Sequence, residues 1–163
     1  MDNNTNIAIH VATMDDIPIL VTHHHKMFEE IWILKGLEID AHQFKEMDKA
    51  HTKKLNEELV NGSCIAWLVK KEDKIVASGA ISINSMVPKP EDPSYIVAYL
   101  HSIYTEQGYR KNGFASLITK NAIHHCKSRG INQMNLGASD AGRPIYEKMG
   151  FQPSVSSMQL LIK

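Results

Sequence analysis

Hydrophobic residues recur with two different periods along the chain, and together they predict a mixed α/β fold. Positions 7–12 alternate apolar and polar residues, as expected for a half-buried first strand. From about Asp15 to Leu34 the apolar residues recur every three or four positions, which is typical of a helix lying on a sheet. The preceding Thr13-x-x-Asp16 matches a capping box, and a second helix is predicted over 41–60.

The rest of the chain supplies most of the predicted sheet. Two strand-like runs, 64–69 and 75–83, are separated by a polar turn and form a hairpin. The proline-rich stretch 88–93 is a surface loop, because proline fixes φ and lacks an amide donor. The remaining predicted elements are a strand at 95–104, a helix at 113–129, a short strand at 134–136, a helix near 142–149 and a closing strand at 157–162. This order predicts a central mixed, mostly antiparallel sheet with flanking helices, in a single domain over residues 1–163.

Composition narrows the expected partners. Eighteen basic residues balance eighteen acidic ones, which argues against a nucleic-acid or anionic-membrane binder. No apolar run approaches the roughly 18 residues of a membrane span, and the N-terminus does not have the pattern of a signal peptide. The two cysteines, Cys64 and Cys126, have no ligand-spaced companions, so we expect reduced thiols in a cytoplasmic protein. A small molecule or a peptide is therefore the expected partner.

Three consecutive histidines, 23–25, invite a metal-site interpretation. Consecutive helical residues point about 100° apart, so the three rings cannot converge on one ion. We expect His24 to face the core and its two neighbours to face solvent. No metal is predicted.

The turn between the strand at 95–104 and the helix at 113–129 is the most informative part of the sequence. It contains two glycines and leads directly into a helix, whose free amide groups and dipole favour phosphate oxygens. Gly113 leaves the backbone open to an anion, and Arg110 and Lys111 add positive charge. A nucleotide P-loop is excluded, because Phe114 and Ala115 stand where that motif needs lysine followed by serine or threonine.

Arg110-x-x-Gly113-x-Ala115 resembles the diphosphate-binding signature of the GNAT (GCN5-related N-acetyltransferase) family. Downstream, Tyr146-Glu147-Lys148-Met149-Gly150-Phe151 resembles a second feature of that family. The resemblance covers essentially the whole chain and is tight over 97–151. It implies the GNAT fold, with a splayed strand pair that forms a groove for acetyl-CoA as co-substrate. It is also compatible with a homodimer.

The resemblance assigns the cofactor contacts residue by residue. Backbone amides of the loop would bind the diphosphate, and the end of the preceding strand would pair with the pantetheine. Ser139 stands where many members have asparagine, so this contact departs from the family pattern. Gly142 lies at the predicted start of the last helix. The predicted cofactor-binding residues are Ile103, Tyr104, Thr105, Arg110, Lys111, Asn112, Gly113, Phe114, Ala115, Ser139 and Gly142.

Amine acetylation needs a route for the amine proton and an acid for the departing thiolate. The resemblance makes Tyr146 that acid. His101 is the first candidate for the base, because it lies on the strand leading into the loop and histidine titrates near neutral pH. Glu106 is the second candidate, and a chain of waters is the alternative. The predicted acceptor-site residues are Phe28, Glu29, Glu30 and Tyr99, with the carboxylates attracting a cationic amine.

The sequence thus predicts an N-acetyltransferase that transfers the acetyl group of acetyl-CoA to a primary amine of a small molecule or peptide. Transfer is expected to occur by direct attack in a ternary complex. A catalytically silent acyl-CoA-binding sensor or scaffold is the main alternative, and a nucleotide-binding protein is a more distant one.

Overall fold

The computed structural model describes residues 6–154 and 158–162. Five strands form one sheet in the order β1-β2-β3-β4-β5, antiparallel except for the parallel pair β4-β5. The strands are Ile7–Val11 (β1), Cys64–Lys71 (β2), Lys74–Ser85 (β3), Ile96–Thr105 (β4) and Gln133–Leu136 (β5). The helices are Ile17–Leu34 (α1), Ala41–Asn61 (α2), Phe114–Ser128 (α3) and Arg143–Glu147 (α4). The predicted mixed, mostly antiparallel sheet with flanking helices is confirmed.

Local signals fix the beginnings and ends of the first two helices. The Asp16 carboxylate accepts a hydrogen bond from the Thr13 amide at 2.8 Å, and one turn of 3-10 helix at Met14–Asp16 leads into α1. The Asp40 carboxylate accepts from the amide of His42 at 2.8 Å at the start of α2. Helix α2 ends at Gly62, whose φ of 77° is the left-handed conformation that glycine adopts readily.

The sheet is covered on both faces. Alternate residues of β2 show this directly, because Ile65, Trp67 and Val69 belong to the core beneath α3. The residues between them, Ala66 and Leu68 among them, pack against α1 and α2 on the opposite face. Strand β2 is therefore a continuous apolar run instead of the alternating pattern of a half-exposed strand.

Strand β4 contains a bulge opposite Gly79 of β3. The register pairs Ala80 with His101 and Ser78 with Tyr104, so two residues of β4 face one residue of β3. Ser102, one of the two, has a φ of 56°. A β-carbon on Gly79 would lie 2.3 Å from Cδ1 of Ile103, the other bulge residue, so only glycine permits this approach.

Two sequence predictions are wrong. Residues 158–162 form no strand, and residue 157 lies outside the described part. An apolar run becomes a strand only by pairing with another strand, and the side chains of Met158, Leu160, Leu161 and Ile162 are instead exposed. His24 is also not the most buried of the three histidines: His23 is fully buried, since the core-facing stripe of α1 passes between positions 23 and 24.

Within the described residues, no helix is both long and apolar enough to cross a membrane.

Candidate active site

Strands β4 and β5 are paired over only four residues. Val97 to Leu100 pair with Gln133 to Leu136, and β4 then runs on to Thr105 with only β3 beside it among the described residues. The segment predicted to bind pantetheine, Ile103, Tyr104 and Thr105, lies in this unpaired stretch. One edge of its backbone is therefore open to a strand-like ligand, although the Thr105 carbonyl already accepts from Nε of Arg110 at 3.0 Å.

The predicted anion loop follows immediately. Lys111 and Gly113 both have left-handed backbone, with φ of 64° and 80°. The side chain of Asn112 braces the turn by donating to the carbonyl of Tyr109 at 2.9 Å. Among the residues that the structure describes, no side chain caps the start of α3, and a β-carbon on Gly113 would meet no atom within 4 Å. The amides of Phe114 and Ala115 thus open onto free space at the positive end of a 15-residue helix.

Arg110 does not point along this loop. Its guanidinium donates to both oxygens of Glu30 on α1, each at 2.7 Å. Two residues that the sequence assigned to different ligands, Arg110 to the cofactor and Glu30 to the acceptor, are therefore joined in one ion pair. This pairing keeps the pKa of Arg110 above its usual value despite partial burial.

Ser139, Gly142 and Tyr146 lie together on the turn that begins α4. The Ser139 carbonyl accepts from the Gly142 amide at 3.0 Å, and a β-carbon on Gly142 would lie 3.4 Å from the Tyr146 ring. Tyr146 packs against the α3-side core and meets Phe151 edge to face at 5.8 Å. Burial raises the pKa of Tyr146, so its phenol stays protonated and able to donate at neutral pH.

His101 lies on the opposite face of the sheet from Tyr146. Its Nε2 is 2.9 Å from Oγ of Ser82, and its Nδ1 is 2.9 Å from Oγ of Ser102. Burial and the charge of Lys54 lower the pKa of His101 to about 4, so the ring is neutral near pH 7. Tyr99 stacks on the His101 ring at 6.2 Å, which brings a predicted acceptor-site residue next to the candidate base.

Glu106, the second candidate base, is held by Lys26 of α1 at 2.7 Å. Although burial raises the pKa of Glu106, its bonds with Lys26 outweigh that effect and lower it overall. Nε2 of His23 lies 3.4 Å from Glu106, and Nδ1 of His23 lies 2.8 Å from the Ser78 hydroxyl. This Ser-His-Glu order resembles a hydrolase triad, but Ser78 is only 1% exposed and no substrate can reach it.

The remaining predicted acceptor-site residues lie on α1. The ring of Phe28 meets the His24 ring edge to face at 4.9 Å. Glu29 and Glu30 line a cavity of about 650 Å³ between α1 and the ends of β3 and β4. Within the described residues, Glu29 has no salt-bridge partner, whereas Glu30 forms an ion pair with Arg110. The described residues contain no group of three metal-ligating side chains.

Sequence reasoning missed the polar partners of His101. Ser82 and Ser102 flank its ring, and Nδ1 of His24 is 2.8 Å from Ser102 Oγ. His51 of α2 stacks on His24 with ring centroids 4.0 Å apart. One signal was available in the sequence. Ser78 and Ser82 are four residues apart, so they lie on the same face of a strand whose central residues are otherwise mostly apolar.

Comparison with known proteins identifies the family of the chain. Residues 35–159 match the family model described as an acetyltransferase (GNAT) domain. No curated protein sequence matches the chain.

Solved structures of several acetyltransferases are similar to this chain in fold. A predicted acetyltransferase from Clostridium acetobutylicum, solved with acetyl-CoA, is 28% identical with a TM-score of 0.85, and the alignment covers 96% of each chain. A GCN5-related N-acetyltransferase from Ralstonia eutropha shares the fold at 23% identity and a TM-score of 0.85, over 96% of this chain and 99% of its own. Glucosamine-6-phosphate N-acetyltransferase from Arabidopsis thaliana shares it at 15% identity and a TM-score of 0.70, over 97% and 99%. With the family model matching most of its length, the chain belongs to the GNAT acetyltransferase family.

Proposed function

We propose that the protein transfers the acetyl group of acetyl-CoA to a primary amine of a small molecule or peptide, by direct attack in a ternary complex. The observation that carries this proposal is the opening between β4 and β5, with Tyr146 on one face of the sheet and His101 on the other. A thioester lying in that opening would have a proton donor on one side and a neutral imidazole on the other. The related acetyl-CoA-bound structure supports the choice of cofactor.

The cofactor would be held at two places. Its diphosphate would lie on the amides of the turn 111–115, where left-handed residues and an uncapped helix start point donors outward. Its pantetheine would extend along Ile103 and Tyr104 on the open edge of β4. Ser139 and Gly142 lie on the turn next to Tyr146, where the hydroxyl of Ser139 can donate to the same arm.

The reaction would divide its proton transfers between the two faces. Attack by the amine forms a tetrahedral adduct whose ammonium nitrogen is more acidic than that of the free amine. Because both ring nitrogens of His101 are hydrogen-bonded to serines, the proton would reach this neutral imidazole through the Ser82 hydroxyl. Collapse of the adduct expels the coenzyme thiolate, which takes a proton from the Tyr146 phenol. No step requires either side chain to bear a charge beforehand.

The charge of Glu29 on α1 supports a cationic acceptor. Glu29 has no salt-bridge partner among the described residues and lines the cavity beside α1. The aromatic side chains of Phe28 and Tyr99 lie next to His24 and His101, respectively, and would supply apolar walls. An amine carrying a second positive charge away from its reacting nitrogen fits this arrangement best.

An acceptor screen tests the proposal. The purified protein is incubated with acetyl-CoA and a panel of polyamines, aminoglycosides, amino-acid amides and lysine-containing peptides, and thiol release is followed. We expect amine-dependent thiol release and an acetylated product of the matching mass. Tight binding of acetyl-CoA without release by any amine in the panel would instead favour a silent acyl-CoA-binding domain.

A further inference from the structure

Four polar side chains form a continuous hydrogen-bonded row from β3 to α1. Ser82 Oγ lies 2.9 Å from Nε2 of His101, and Nδ1 of the same ring lies 2.9 Å from Ser102 Oγ. Ser102 Oγ in turn lies 2.8 Å from Nδ1 of His24. Hydroxyls and imidazoles alternate along the row, and every contact is within normal hydrogen-bond distance.

The bulge in β4 makes this row possible. Leu100 and Ile103 belong to the α3-side core, and His101 and Ser102 between them both lie on the opposite face, which α1 and α2 cover. A regular strand would send these two consecutive residues to opposite faces. The left-handed φ of Ser102 is the backbone feature that breaks the alternation, and strained backbone of this kind is concentrated at functional sites.

The row can be polarised in one direction throughout. Burial, followed by the influence of neighbouring histidines, lowers the pKa of His24 to about 3, and the pKa of His101 is about 4, so both rings are neutral. A neutral imidazole has one donor and one acceptor nitrogen, and a hydroxyl can donate and accept at once. If Ser82 donates to His101, then His101 donates to Ser102 and Ser102 donates to His24.

The row ends at Nε2 of His24, and this end differs from Nε2 of His23, which ends the neighbouring pair Ser78–His23. Nε2 of His23 is sealed from solvent and lies 3.4 Å from the Glu106 carboxylate, so a proton arriving on this ring would be held by that carboxylate. Nε2 of His24 is not among the sealed atoms within the described residues, and it has no protein hydrogen-bond partner there. The titratable or charged groups that face the row are His25 on α1 and His51 and Lys54 on α2. No carboxylate among the influences on these two rings would trap a proton on them.

We propose that the row Ser82–His101–Ser102–His24 conducts the acceptor's proton out of the active site, with Ser102 and His24 acting as positioning residues behind His101. A proton leaving the tetrahedral adduct arrives at Ser82 Oγ, and Ser82 passes its own proton to Nε2 of His101. His101 releases its Nδ1 proton to Ser102, whose own proton moves to Nδ1 of His24. His24 then loses the proton on Nε2 to solvent. One proton leaves the amine and one enters solvent, and each group in the row gains one and loses one. The inference rests on the proposed acetyl transfer.

Variants of His24 test the row with the best amine from the acceptor screen. His24→Gln can hydrogen-bond Ser102 but cannot pass a proton. The rate constant measured in single-turnover experiments should therefore fall about 10- to 100-fold, within the range of proton-transfer catalysis. The KM for acetyl-CoA should not change. Added imidazole should restore turnover to His24→Ala but not to Ser102→Ala, where the break lies inside the protein. His25→Gln is the matched control, since His25 is adjacent on α1 and makes a similar 2.8 Å bond to Asp48 outside the row.

The outcomes separate the row from the proposed function. Unchanged single-turnover kcat in His24→Gln, or an equal loss in His25→Gln, would overturn the relay while leaving acetyl transfer intact. If no amine is acetylated, ¹⁵N spectra of the histidine rings decide about the row itself. We expect His101 to carry its proton on Nδ1 and Ser102→Ala to shift the signals of His24 and His101 together. A proton on Nε2 of His101, or independent responses of the two rings, would overturn the inference.

Discussion

Glu30 and Arg110 form a bidentate ion pair across 80 positions of sequence, with both carboxylate oxygens 2.7 Å from one guanidinium nitrogen. The pair joins the helix that borders the proposed acceptor cavity to the loop that would bind the cofactor's diphosphate. We therefore predict that an anionic cofactor competes with Glu30 for the same guanidinium.

Removing the competitor should strengthen cofactor binding. We expect Glu30→Gln to bind CoA roughly two- to fivefold more tightly in calorimetry, since exposed ion pairs are worth about 0–1 kcal/mol. Glu29→Gln removes the same charge without touching Arg110 and measures the general effect of charge. In an Arg110→Gln background, Glu30→Gln should bring no gain beyond that of Glu29→Gln. Weaker CoA binding by Glu30→Gln would mean that Glu30 shapes the loop instead of competing with the ligand.

A charge placed at Gly113 should abolish cofactor binding. Gly113→Glu puts a carboxylate where the diphosphate would lie and forces a side chain into left-handed backbone, which costs about 1–2 kcal/mol. Gly113→Asn separates these effects, because asparagine tolerates that backbone and is uncharged. We expect calorimetry to show no CoA binding for Gly113→Glu and weakened binding for Gly113→Asn, with unchanged circular dichroism for both. Wild-type affinity in Gly113→Glu would refute the loop assignment.

Loss of the Tyr146 hydroxyl should slow chemistry without affecting cofactor binding. Tyr146→Phe keeps the ring against Phe151 but cannot protonate the thiolate, so single-turnover kcat should fall by about 10²-fold, the lower end of acid catalysis. CoA affinity should stay the same. Tyr95→Phe, at an exposed tyrosine outside the site, is the matched control. Full turnover by Tyr146→Phe would assign this side chain to packing.

The smallest possible enlargement of Gly79 should destabilise the protein. A β-carbon there would lie 2.3 Å from Ile103 Cδ1 and 2.8 Å from Ile118 Cγ2, so Gly79→Ala must displace both side chains. We expect the free energy of unfolding in urea to fall by about 1–3 kcal/mol, as for other overpacked cores. Gly108→Ala is the control, because a β-carbon there has no atom of the described part of the chain within 4 Å. Equal stability of the two variants would show that the bulge can yield at no cost.

Stability should fall as the pH is lowered from 7 to 5. Burial lowers the pKa of His23, His24, His51 and His101 below the ordinary value of 6.5. Between that value and about 4 the unfolded chain binds protons that the folded protein does not, so the free energy of unfolding decreases with falling pH. His24→Gln should flatten this dependence in urea titrations at the two pH values. A slope identical to that of the wild type would show that His24 is not held neutral by the fold.

The helices and the first strands could be predicted because their signals are local. The capping box at Thr13 and Asp16 and the glycine after α2 set boundaries that the structure confirms within a few residues. The left-handed glycine at the start of α3 also follows from a local signal, and the anion-binding role of this loop stays a prediction.

What the sequence did not predict depends on pairing between distant segments. The ion pair of Glu30 with Arg110 and the contact of His24 with Ser102 require a register that no local pattern encodes. The bulge was missed because the glycine that accommodates it, Gly79, lies on β3, whereas the extra residue lies on β4, and only the pairing of the two strands relates them. The final apolar run was predicted as a strand from composition, although a strand also needs a partner edge.

Because the parallel pairing between β4 and β5 is short, amide hydrogen exchange in the chain beyond α3 should report whether CoA is bound. Within the described residues, four residue pairs attach β5 to the rest of the sheet, and α4 with Tyr146 follows it along the chain. Segments with so few interstrand bonds open more readily than the body of a sheet, and a ligand bridging the gap would raise their opening free energy. Amide hydrogens of β5 should therefore exchange fastest among the five strands in the free protein and slow selectively when CoA is added.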